Sequence, residues 1–156
     1  MKHDPARIGG THLARLDRLP LAQGVVVRAL RHWDGVGSDA LDDVLPDALA
    51  GADGVAGRAA LEDLLEILMR HGRRPLVRHA PGCPWVGADE AVLAHFVSVA
   101  ATGEAEDAML IASLLVEGPL LPCLLGAAQE LGLRLRRACP VCDEAPRDAP
   151  PGPIFH

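Results

Sequence analysis

"VAGRAALEDLLEILMRHG", residues 55–72, decides the fold. Leu61, Leu64, Leu65 and Leu68 recur at the three- and four-residue spacing that lines one face of an α-helix. Arg58, Glu62, Glu66 and Arg70 repeat every four residues on another face, and Glu66 before Arg70 is the favourable order for an ion pair. Gly72 stands where helices commonly close, at the C′ position. The spacing predicts a helix over about 55–71 whose leucine face must be buried against other helices.

The same rhythm appears on both sides. Upstream, Pro20 suits the first turn of a helix running to about Trp33, with Leu21, Val25, Val26, Ala29 and Leu30 on one face. "DGVGS" (34–38) ends it. Ser38 is then the expected N-cap of a short helix holding Leu41, Val44 and Leu45, which Pro46 breaks. Residues 1–19, with Gly9 and Gly10, read as loosely structured. Downstream, Asp89 and Glu90 sit where acids favour a helix start, and Val92, Phe96 and Val99 carry that helix to about Ala101. A further helix is expected over 104–117, between Gly103 and Gly118. Pro119 opens another, ending near Gly132.

Between the two groups lies "GRRPLVRHAPGCPWVG", residues 72–87. Its three prolines and three glycines forbid regular helix throughout, although "PLVRH" (75–79) suits an extended segment. The resulting expectation is an all-α fold of about six short to medium helices in a compact bundle. One domain covers 1–142, with helical groups 20–71 and 88–133 joined by the irregular loop 72–87. The proline-rich tail 143–156 is expected to be extended and flexible.

Composition agrees with a helical core. Apolar residues make up 49% of the 156-residue chain, enough for one packed core, yet its only aromatics are Trp33, Trp85, Phe96 and Phe155. The core must therefore be built from Leu, Val and Ala. A single lysine, no asparagine and abundant arginine and alanine suggest a GC-rich, bacterial genome. The opening "MKHDPARIGG" lacks the apolar core of a secretory signal. The apolar stretches 108–116 and 118–128 are each shorter than the ~20 residues of a membrane span. A cytoplasmic protein with no membrane partner is the expectation.

Net charge is −6, which gives no general attraction to nucleic acid. Arg70, Arg73, Arg74 and Arg78 form a local basic cluster, but no aromatic side chains interleave with them for base stacking. Phosphate-binding, dinucleotide and hydrolase signatures are absent, and the serines at 38, 98 and 113 fall outside any nucleophile motif. The sequence leans away from an enzyme.

Chemistry concentrates in two places. His79 and Cys83 form an H-x3-C pair in the 72–87 loop, and Cys139 and Cys142 form "CPVC" near the end. Thiolate and imidazole are the ligands a tetrahedral zinc site uses, so the four together make a candidate Cys3His set for a structural Zn2+. The alternative for Cys139 and Cys142 is redox chemistry, with Cys139 attacking and Cys142 resolving. Cys123, inside "LLPCLLG", is expected to be core filler. The functional expectation is a non-enzymatic regulatory or adaptor-type protein acting through contacts with another protein, held in part by zinc. A homodimer is an open alternative for the partner. A thiol-redox protein is the rival class, and nucleic-acid binding through Arg70–Arg78 stands third.

Overall fold

Helix formation follows the leucine spacing. In the computed structural model, which describes residues 13–46, 49 and 51–138, helix α2 covers Gly51–His71 and turns Leu61, Leu64, Leu65 and Leu68 inward. It starts earlier than the apolar pattern alone indicates, with Gly51 in the left-handed region at φ 65°. Helix α1 covers Leu21–His32, α3 Ala88–Thr102, α4 Ala105–Leu115 and α5 Leu121–Ala138. Among the described residues the fold is therefore all-α, with five α-helices, three short 3-10 turns and one two-stranded ribbon.

Helix α5 is the one the others share. It packs against α2 and α3 most extensively, and against α4 and α1 as well. Leu124, Ala128, Leu131 and Leu135 form its inner stripe. The helix does not stop at Gly132 as the sequence suggests. Gly132 instead lets α5 press onto α3: a Cβ there would lie 2.7 Å from the Ala101 Cβ and from the Val97 carbonyl oxygen. Burial of Leu135 and the bonding of Arg134 to Asp53 and Glu130 carry the helix on to Ala138.

Three further expectations change. The short helix expected around 38–45 is a 3-10 turn at Asp39–Leu41; Ser38 does cap it, accepting from the Ala40 amide at 3.1 Å. Gly72 does not close α2 by a left-handed turn. It pairs with Val116 in an isolated antiparallel bridge, and an added Cβ would run into the Leu68 carbonyl. Residues 14–18 are not loose: strand β1 (Ala14–Arg15) pairs antiparallel with β2 (Trp85–Val86), and Arg15 lies 5.6 Å from the centre of the Trp85 ring.

Helices α4 and α5 both look apolar almost all round in sequence, yet they occupy different places. Helix α5 is central. Helix α4 packs at the edge and buries its small residues, Ala108 and Ala112, together with Leu115. No helix among the described residues is long and apolar enough to cross a membrane.

Candidate functional site

Loop 72–87 is mostly exposed, and between its bridge at Gly72 and strand β2 its backbone joins no ladder, so the amides that turn inward need other partners. "PLVRH" does not form a strand. The carboxylates of the first turn of α3 serve its amides instead: Asp89 accepts from the Val77 N–H at 2.7 Å, and Glu90 accepts from the His79 N–H at 2.9 Å. Glu90 also reaches back to the Gly87 N–H at 3.0 Å, the side-chain half of a capping box. Arg78 donates to the Leu30 and Trp33 carbonyls at 2.8 and 3.0 Å, closing the C-terminal end of α1.

The centre of this arrangement is Arg31 of α1. Its guanidinium meets Glu90 fork to fork at 2.8 and 2.9 Å, and both side chains are fully shielded from solvent. Two further N–H groups take the Cys83 carbonyl at 2.7 Å and the Trp85 carbonyl at 2.5 Å. Burial pushes the Glu90 carboxyl up, but Arg31 and the Gly87 and His79 amides outweigh it and hold its pKa below the ordinary glutamate value. Sequence reading takes Glu90 only as a helix-start acid and passes over Arg31. The signal was there: Arg31 lies one turn beyond Val27, on the buried face of α1.

On this base the loop turns sharply. The Cys83 amide donates to the Ala80 carbonyl at 3.0 Å, with Pro81 and Gly82 at the corner. That turn sets His79 Nδ1 3.3 Å from Cys83 Sγ. His79 is buried, 8% exposed, while Cys83 is half-buried. Burial alone would raise the Cys83 thiol pKa. A backbone hydrogen bond from Trp85, the His79 contact and the Arg31 charge outweigh it, so the thiol titrates below its ordinary range.

No family model matches this chain, and neither a curated protein nor a solved structure is significantly similar to it. The site is therefore read from its own chemistry.

Of the four proposed zinc ligands, His79 and Cys83 are brought together; Cys139 and Cys142 lie outside the described residues. Among the described residues, no group of three or more His, Cys, Asp and Glu could hold a metal ion. The His79–Cys83 pair stands beside the start of α3, near Glu90, whereas Arg136 near the end of α5 donates to the Ala101 carbonyl at the other end of α3. These points on α3 are ~16 Å apart along the helix axis.

Cys123 is not core filler. It is exposed, because α5 points Leu124 inward and Cys123 falls one position off that stripe. The Arg70–Arg78 cluster is engaged within the fold. Arg70 pairs with Glu66, Arg73 with Glu117 at 2.8 Å, and Arg74 with Asp89 through two bonds.

A second surface stands apart from the loop. While α4 buries alanines, it presents Met109, Leu110 and Leu114 to solvent, the last two 65% and 73% exposed. Leu114 also borders a cleft with Leu76 and Val92, and Val92 is itself exposed.

Proposed function

We propose that this is a non-enzymatic, adaptor-type protein that works by protein–protein contact, and that the outer face of α4 is its contact surface, occupied by a second copy of the chain. The observation that carries the reading is the outer face of α4: the helix buries Ala108 and Ala112 but leaves Met109, Leu110 and Leu114 exposed. Large apolar side chains gathered on one exposed helix face mark an interaction site rather than a tolerated surface.

Charge supports a second copy as the occupant. Exposed Glu106 and Asp107 sit at the N-terminal end of α4. At its C-terminal end Arg73 is held against the helix through the Ser113 carbonyl and Glu117, with its side chain 42% exposed. Antiparallel packing of two α4 helices about a two-fold axis stacks leucine on leucine and sets each Glu106 toward the other copy's Arg73–Glu117 pair. One helix face is a small interface, so this association is reversible and depends on concentration.

Sedimentation equilibrium over ~1 μM to ~1 mM protein tests it, a range that captures dissociation constants of weak dimers. The native chain should shift from monomer to dimer, and Leu110→Glu/Leu114→Glu should stay monomeric with unchanged helix content. A native chain that remains monomeric throughout overturns the reading.

A further inference from the structure

Independently of the α4 surface, we propose that Cys83 is a nucleophilic thiol served by His79, and that it reacts with hydroperoxides to form a sulfenic acid.

The pair is a nucleophile and a base at hydrogen-bond distance, 3.3 Å, and it is held in place rather than met by chance. Three restraints set it. The Ala80–Cys83 turn aligns the two side chains, the Arg31 guanidinium holds the Cys83 carbonyl, and Glu90 holds the His79 amide. His79 is buried and so keeps its orientation, while Cys83 is only half-buried and so open in part to solvent. A buried imidazole beside a half-buried cysteine suits a compact oxidant better than a macromolecular substrate.

In the reaction the sulfur attacks the terminal oxygen of the hydroperoxide. An S–O bond forms as the O–O bond breaks. The thiol proton passes to His79 and from there to the departing oxygen, which leaves as water or an alcohol. Sulfur loses two electrons and the peroxide gains them, giving Cys–SOH. A sulfenic acid so formed adds a polar oxygen beside the Arg31–Glu90 pair.

The test treats the full chain with hydrogen peroxide in the presence of a sulfenic-acid trap and quantifies adducts at each cysteine by peptide mass spectrometry. Cys123 is the internal control, exposed on α5. Cys83 should be trapped at least about tenfold faster than Cys123, in line with the base held beside it. In His79→Gln, the Cys83 rate should drop about tenfold while Cys123 is unchanged. Glu90 bonds the His79 backbone rather than its ring, so this substitution leaves that contact in place; circular dichroism checks the fold. Native Cys83 reacting no faster than Cys123 overturns the proposal, as does a folded His79→Gln protein with an unchanged Cys83 rate.

Discussion

Arg31 and Glu90, fifty-nine positions apart in the chain, form a two-bond ion pair with both side chains wholly shielded from water. Such a pair repays its desolvation only when every remaining donor and acceptor is used. Here all three guanidinium nitrogens and both carboxylate oxygens are bonded: the same guanidinium takes two loop carbonyls and the same carboxylate takes two loop amides. The pair thus joins α1 to α3 and sets the path of the loop that carries His79 and Cys83. Arg31→Met leaves a buried carboxylate without its partner and should cost about 3–5 kcal/mol, read by urea denaturation. Arg31→Met/Glu90→Leu removes both charges and should recover part of that loss. It should not recover all, because the Cys83 and Trp85 carbonyls and the His79 and Gly87 amides lose their partners.

Acid should expose the same pair from the other side. The folded-state pKa of Glu90 lies below its ordinary value because Arg31 and two amides outweigh the cost of burial. Between those two values the unfolded chain binds the extra proton, so stability rises with pH there. The contribution of Glu90 is complete above the ordinary glutamate pKa and is lost as pH falls through the lower, folded one. Asp89, whose pKa is lowered first by Arg74, acts in the same direction. Glu90→Gln should therefore flatten the acid limb of a stability–pH profile measured in urea, while leaving the limb contributed by Asp89.

How far the chain declares itself can be judged from particular residues. Leu61, Leu64, Leu65 and Leu68 declare α2 because an apolar face with helical spacing has few other fates. Asp89 and Glu90 declare the start of α3, but not that their carboxylates satisfy a loop ten or more residues upstream; that is tertiary and leaves no periodicity. Gly132 reads as a helix stop because local propensity cannot distinguish a terminator from a contact surface. The spacing of His79 and Cys83 was legible, and a turn does bring them together. Arg31 was missed because a lone arginine on an apolar face is conspicuous only once its partner is known.

The two glycines of α5 make a paired prediction. A Cβ at Gly132 would crowd Ala101 and Val97 of α3, where backbone is involved and the helices cannot separate freely. Gly132→Ala should destabilise by about 1–3 kcal/mol, the usual cost of overpacking. Gly126 faces open space, with nothing within 4 Å of the added atom. Gly126→Ala should stabilise by ~0.5–1 kcal/mol, since only the glycine's helix cost is removed. Thermal denaturation of the two variants should shift in opposite directions.

Helix α4 divides its eleven residues between a packed face and an exposed one. Its inner positions are closed: Ala112 is fully buried, so Ala112→Leu forces extra volume into a packed interface and should cost about 1–3 kcal/mol. Its outer positions carry larger side chains that the fold does not use. Leu110→Gln and Leu114→Gln, measured at concentrations where the chain is monomeric, should each change stability by less than ~0.5 kcal/mol. The same two substitutions should weaken self-association in sedimentation experiments. If Leu114→Gln instead destabilises the monomer as much as a core change, its side chain is supporting the fold through Leu76 and Val92, and the outward leucines lose their claim to a partner.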